Sequence, residues 1–198
     1  MIVVSSDKTA FPPGTVNRDF IEFVDFAPTI YTAAGLDVTQ PEYSHLDGRP
    51  LQKVVAGSAK KLAYVLGEMN HVYGPRAYLR SNDFAFSMRT REKNGKPGDK
   101  YGHAPGENIR WALEASPNEV EIAFFDLRID PMERHNLAGD ARYEKLVNFF
   151  RQKLGNIVLG DRRLEVDWKQ ENTFHISDFS LGADDKQLDI PADIIPQL

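Results

Sequence analysis

Four segments in the middle of the chain constrain its fold more than any other feature: Leu62–Glu68 (LAYVLGE), Arg76–Arg80 (RAYLR), Phe84–Thr90 (FAFSMRT) and Val120–Leu127 (VEIAFFDL). Each is rich in β-branched or aromatic residues, which suit a pleated, half-buried surface. Within the third, Phe84, Phe86 and Met88 fall on one side of a strand and Ser87 and Arg89 on the other. Further on, Tyr143–Leu154 carries Leu146, Val147, Phe149, Phe150 and Leu154 at helical spacing, with Arg and Lys opposite. The pattern predicts an antiparallel sheet followed by an amphipathic helix, an α+β body.

The flanking segments are less regular. Ile2–Val4 is a short β-branched run that reads as a strand whose sheet lies elsewhere, and Phe20–Val24 (FIEFV) alternates like a second short strand. A helix is expected from Asp25, with Asp25 as N-cap, Pro28 in the first turn and Gly35 as terminator. Leu36–Arg49 reads as loop, and Pro50–Ala56 as a short helix stopped by Gly57. Glu92–Glu107 is a polar Gly/Pro-rich insertion, of a length uncommon inside compact domains, and a helical turn is expected around Asn108–Glu114. Asp130-Pro131 marks a turn. The last stretch, Gly155–Leu198, has mixed signals, and Ile190, Ile194 and Ile195 suggest a tail that wraps over the body.

Composition removes several function classes. The 198 residues include no cysteine, so disulfide frameworks, thiolate zinc sites, iron–sulfur clusters and cysteine nucleophiles are excluded. With 24 Lys+Arg against 29 Asp+Glu the net charge is −5, the wrong sign for a general nucleic-acid footprint. No apolar run approaches the ~20 residues of a membrane-spanning helix. The opening MIVVSSDK lacks the form of a signal peptide, so the chain is expected either to stay unexported or to lack its true beginning.

Motifs that carry chemistry are sparse. The histidines, His45, His71, His103, His135 and His175, form no H-x-x-x-H pair, and neither a G-x-S-x-G elbow nor a P-loop occurs. The segment Glu68–Arg80 (EMNHVYGPRAYLR) stands out by setting Glu68, His71, Arg76 and Arg80 around a Gly-Pro turn. Arginine offers a planar fork for sulfate, phosphate or carboxylate, and histidine a movable proton. Ion pairs within the sheet explain the same residues equally well. His103, in the long insertion, is a further candidate to reach a pocket. These observations give a candidate anion site and no reaction.

Two segments resemble the sulfatase family. Phe11–Gly35 (FPPGTVNRDFIEFVDFAPTIYTAAG) resembles the stretch in which a P-G-t turn leads into v-D-x-a-P-T and a helix ending in A-G. Phe124–Ala138 (FFDLRIDPMERHNLA) is similar to l-Y-D-L-x-x-D-P-x-E-x-x-N-L-A, with Phe125 in place of the usual tyrosine. Between them, Leu46–Leu51 (LDGRPL) resembles the l-D-G-x-S-L step, and Phe86–Arg91 (FSMRTR) the strand bearing R-T. The four occur in the family's order and span most of the chain to residue 154.

The resemblance implies the C-terminal portion of a formylglycine-dependent sulfuric ester hydrolase of the alkaline phosphatase superfamily. Its fold would be a four-stranded antiparallel sheet with a packed helix, plus a strand and helix remnant of an N-terminal α/β catalytic domain. The expected division is 1–57 for the end of that catalytic domain, 58–160 for the sheet and helix, and 161–198 for the tail. The family makes its nucleophile from Cys or Ser in C/S-x-P/A-x-R and holds a calcium ion on Asp and Asn. This chain has no such signature, since Ser116-Pro117 has the wrong order and no following Arg. No catalytic, cofactor or metal residue is therefore expected here, and calcium and formylglycine are implied only for a complete sulfatase. The chain is expected to complete the fold and wall the pocket, with His71, Arg76, Arg80 and His103 as candidate contacts to a sulfated carbohydrate. Alone it is expected to be inactive, to expose an apolar face toward the missing catalytic domain, and to self-associate. Two readings remain beside it: a phosphodiesterase or phosphonate hydrolase of the same superfamily, and a stand-alone anion- or glycan-binding module. Localisation stays open, with a periplasmic or extracellular place compatible with the resemblance.

Overall fold

Short links between the first three strand-forming segments leave antiparallel pairing as their available solution, because a parallel crossover needs a dozen or more residues; the fourth follows a longer link that this rule does not constrain. In the computed structural model, which describes residues 1–69, 76–90, 111–159, 164–166, 174–176 and 186–198, the central strands obey this rule. Strands β1 (Tyr64–Met69), β2 (Arg76–Ser81), β3 (Phe84–Arg89) and β4 (Ala123–Asp126) form one antiparallel sheet in sequential order. A two-residue link, Asn82-Asp83, joins β2 to β3, and the Ser81 hydroxyl accepts from the Phe84 N–H at 3.0 Å to close it. The fourth strand is shorter than Val120–Leu127 predicted. Backbone bonds from Val120 N–H to Ser116 and Ile122 N–H to Pro117 fold residues 116–122 into turns instead.

Cross-strand register sorts the side chains into two faces. Tyr64, Leu66 and Glu68 stand opposite Ser81, Leu79 and Ala77, which stand on the same face as Phe84, Phe86 and Met88. On that face lies helix α3 (Glu144–Leu159), longer than the 143–154 expected. Asp140 leads into it by accepting from the Arg142 N–H at 2.9 Å across a 3-10 turn, Ala141–Tyr143. Leu146, Val147, Phe150 and Leu154 are buried, the stripe that 3.6-residue periodicity requires. Phe150 is the hub: its ring centroid lies 5.6 Å from Phe124, 5.9 Å from Phe84 and 6.1 Å from Phe86. Stacked and edge-on aromatic contacts of this kind add to the burial energy. Residues 111–114 are helical, in keeping with the expected turn, and Arg151 of α3 donates to the Ala112 carbonyl at 2.6 Å. A two-stranded ladder, β5 (Leu164–Val166) with β6 (Phe174–Ile176), follows α3.

The chain divides into two units, Met1–Ala63 and Tyr64–Leu198. The first carries α1 (Phe26–Ala33) and α2 (Leu51–Val55) and contains no strand. Neither expected strand forms there: Ile2–Val4 is exposed and unpaired by any ladder, and Phe20–Val24 runs into a 3-10 turn, Phe23–Asp25. A strand needs a neighbour to take its backbone groups, and this unit offers none. The expected capping role of Asp25 also changes. Asp25 already has helical angles as the last residue of the 3-10 turn, so its carboxylate turns back and accepts from the Glu22 N–H at 2.9 Å. Gly35 does terminate α1, at φ 84°, with Leu36 N–H reaching the Tyr31 carbonyl at 3.0 Å. The loop 36–49 is as expected apart from a 3-10 turn at Pro41–Tyr43.

Within this first unit the two sequence motifs near Asp25 and Gly48 pack on one another. Asp25, 1% exposed, accepts from the Arg49 N–H at 2.7 Å and from its guanidinium at 3.2 Å. Arg49 further donates to the Phe20 carbonyl at 2.8 Å and the Lys60 carbonyl at 2.5 Å. Thr29 closes the junction: its hydroxyl donates to the Asp25 carbonyl at 2.5 Å and accepts from the Leu51 N–H at 2.9 Å. Gly48 permits it, because a Cβ there would run into the Val24 carbonyl.

Candidate functional site

Strand alternation decides what the candidate residues can do together. Arg76, Tyr78 and Arg80 occupy every second position of β2 and therefore share the face opposite α3. At a rise of about 3.3 Å per residue, Arg76 and Arg80 are ~13 Å apart along the strand. The neighbouring positions on this outer face are Ser87 and Arg89 of β3 and Phe125 of β4. A groove of about 230 Å³ runs here, lined among others by Arg76, Tyr78, Arg80, Phe125 and Glu133. Its floor is aromatic. The Tyr78 ring lies across Gly67 of β1, so closely that a Cβ on Gly67 would overlap the ring.

Both arginines have carboxylate partners. Arg80 pairs with Glu133, and the two side chains are 41% and 36% exposed. Arg76 donates to the Ser87 hydroxyl at 3.1 Å and the Glu121 carbonyl at 2.6 Å, and its guanidinium lies 3.6 Å from the Glu121 carboxylate. Arg89 approaches the same carboxylate at 3.4 Å. Burial, first, and the Arg89 charge lower the affinity of Arg76 for its proton, against the opposing pull of Glu121. Starting from so high a value, the guanidinium stays charged. Ion pairing, the structural explanation of this cluster, thus accounts for both arginines as they stand.

Of the described residues set around the Gly-Pro turn, Arg76 and Arg80 share one face of the sheet. Glu68 stands opposite Ala77 and so belongs to the other face of the sheet, a correction that follows from its odd offset to Arg76 across the antiparallel register. His71 and His103 lie outside the described residues. Sequence reading missed Tyr78, Phe125, Glu121 and Glu133. Alternation within RAYLR would have found Tyr78, whereas the approach of Glu133 to Arg80 spans 53 positions and leaves no local signal.

The D-P-x-E-x-x-N-L-A segment serves the edge of the sheet. The Asn136 amide accepts from the Phe124 N–H at 2.9 Å and donates to the Ile122 carbonyl at 3.1 Å, while the Leu137 N–H reaches the Phe124 carbonyl at 2.8 Å. Unpaired edge groups of β4 are covered in this way. Asp130 accepts from the His135 N–H at 2.7 Å, which holds the turn, and these bonds lower its carboxyl pKa. The Asn136 side chain thereby seals β4. Among the described residues no group of three or more His, Asp or Glu converges as a metal site. A second cavity, about 460 Å³, lies within the first unit and is lined by Val4, Phe11, Ile21, Leu51 and Val54 with Lys8 and Asp19. No helix among the described residues is long and apolar enough to cross a membrane.

No protein-family model matches the chain. Among curated proteins it is similar to an ulvan-active sulfatase of Formosa agariphila, at 25% identity over 178 residues, which covers 83% of this chain and 33% of the relative. The chain therefore spans about a third of that relative's length. Solved structures similar to it include a putative sulfatase from Bacteroides thetaiotaomicron (22% identity, TM-score 0.43, 66% of this chain and 23% of that one). Others are a complex with D-glucosamine-2-N,6-O-disulfate, described there as the substrate (21%, TM-score 0.42, 66% and 22%), and a 2-O GAG sulfatase (22%, TM-score 0.42, 66% and 23%). The sulfatase resemblance carried by the motifs is thus matched by a curated sulfatase along most of the chain.

Proposed function

We propose that this chain is the C-terminal part of a sulfatase whose complete form hydrolyses sulfate esters, those of carbohydrates in particular. The observation that carries the reading is the match to an ulvan-active sulfatase over 83% of this chain and only 33% of that protein. The motifs behind the resemblance also occupy fold-making positions: the Asp25–Arg49 junction in one unit and the Asn136 seal of β4 in the other. In this reading residues 1–57 end the catalytic domain, 58–160 form the C-terminal domain and 161–198 its tail. The chain completes the fold and walls the substrate pocket, and the nucleophile and calcium site belong to the part of a sulfatase that precedes it. His71, Arg76, Arg80 and His103 are its candidate contacts to the sulfated substrate.

The test has two arms. Purified chain incubated with an aryl sulfate is expected to give no turnover above a buffer blank; turnover that resists a chelator would overturn the reading. The coding sequence upstream of Met1 is expected to contain an in-frame C/S-x-P/A-x-R with metal-binding Asp residues. A start codon with its own ribosome-binding site at Met1 would favour a separate binding module.

A further inference from the structure

The final residues, 186–198, meet the sheet at Tyr64 and at Arg128, and the strand register places both contacts at one end of it. Tyr64 opens β1 opposite Ser81 of β2, and Phe84 opens β3 opposite Asp126 of β4. The Lys186 ammonium stands 5.4 Å from the centroid of the Tyr64 ring. Arg128, just past the end of β4, donates to the Pro196 carbonyl at 3.2 Å. Strands spaced ~4.8 Å apart put the two edges of the sheet about 14 Å from each other, which a chain advancing up to ~3.3 Å per residue covers with slack. Between the two contacts Leu188, Ile190, Ile194 and Ile195 are half-buried, and a 3-10 turn, Ala192–Ile194, bends the chain. The tail therefore crosses the end of the sheet from its first strand to its last.

The groups it leans on keep partners without it. Tyr64 is fully buried, and Lys153 of α3 also approaches its ring, at 5.9 Å. Arg128 holds both oxygens of Asp126, at 2.9 and 2.6 Å, and lies 5.0 Å from the Phe84 ring centroid. Its bond to Pro196 is longer than either bond to Asp126. Withdrawing the tail thus leaves Asp126 and Arg128 paired, and it is the stranding of a buried charge that makes losing a contact costly.

We propose that residues 186–198 form a detachable clasp over this end of the sheet, opening and closing while the sheet and α3 stay folded. A cation over a ring, a hydrogen bond to a carbonyl and half-buried aliphatic side chains are each a modest hold. The body rests on a different kind of packing, the buried cluster of Phe84, Phe86, Phe124 and Phe150. Segments with few buried apolar contacts open locally at lower free energy than core strands do. The clasp depends on no sulfatase chemistry, so it stands or falls apart from the family reading.

The experiment is hydrogen exchange of the full 198-residue chain, read amide by amide by NMR over a series of urea concentrations below the unfolding transition. The Ile194 and Ile195 amides, bonded to the Pro191 and Ala192 carbonyls, are expected to be protected. They should nevertheless exchange about a hundredfold faster than the amides of β2 and β3, with little dependence on urea. Lys186→Gln should speed exchange in the tail about threefold and Ile195→Ser about fivefold, with β2 and β3 unchanged. Tail amides without protection, or tail exchange unmoved by both variants, would overturn the clasp. A urea dependence equal to that of β2 and β3, or equal acceleration of the strand amides by either variant, would make the tail an integral part of the fold and overturn it too.

Discussion

At the end of β4, Asp126 has no solvent exposure, yet it keeps its charge because every direction around it supplies a donor. The Arg128 guanidinium donates to both oxygens, at 2.9 and 2.6 Å, and the Tyr143 hydroxyl donates at 3.0 Å. Burial pushes this carboxyl up, and the bonds from Arg128 and Tyr143 outweigh it, leaving its pKa lowered. A lowered folded-state pKa contributes stability above the unfolded value of about 3.9, and that contribution is lost as pH falls through the folded value. Asp126→Asn should cost about 2 kcal/mol in urea unfolding at neutral pH, by loss of bonds to a charged acceptor. It should also flatten the acid limb of the stability profile; an unchanged acid limb would remove Asp126 from that role. None of this partnership was legible in the sequence beyond D-L-R, since Tyr143 joins from 17 positions away.

Elements are held by close approaches that only small residues allow. Gly48→Ala sets a Cβ against the Val24 carbonyl, in the turn that delivers Arg49 to Asp25. The substitution should destabilise the first unit by about 3 kcal/mol, the upper part of the overpacking range, while leaving the melting of the sheet unit unchanged. Hydrogen exchange resolved by segment measures both, and equal loss of protection in the two units would contradict the assignment. At this scale the sequence was informative: four strands, two short helices and α3 form in the segments where they were expected, with β4 shorter and α3 longer than the pattern put them. It failed for the alternating Phe20–Val24 and the β-branched Ile2–Val4, where no partner strand exists in the unit to pair with.

For the whole molecule, the distribution of apolar surface is uneven. Phe23 is 88% exposed and Ile30 64%, and with Phe26 they form one stripe along the start of α1, the Phe23 and Phe26 rings 5.6 Å apart. Ile2 and Val4 are 91% and 90% exposed. An exposed apolar stripe such as that of Phe23, Phe26 and Ile30 marks a contact region. Sedimentation velocity should show association that rises with concentration, and Phe23→Ser combined with Ile30→Glu should shift the chain toward monomer. A strictly monomeric wild type would show that the stripe is tolerated in water and count against a packing role.

Alone, the sequence determined the local and the familial: the alternating strands, the amphipathic α3, and motifs similar to those of sulfatases. These follow from side-chain periodicity and backbone preferences, which act over a few residues and can be read in order. Tertiary structure decided the partnerships. It separated Glu68 from Arg76 and Arg80 by one step of register, gave each arginine a carboxylate, turned Asn136 onto a strand edge and laid Tyr78 across Gly67. Each of these depends on which residues meet across the sheet, and contacts separated by dozens of positions in the chain leave no periodicity to read.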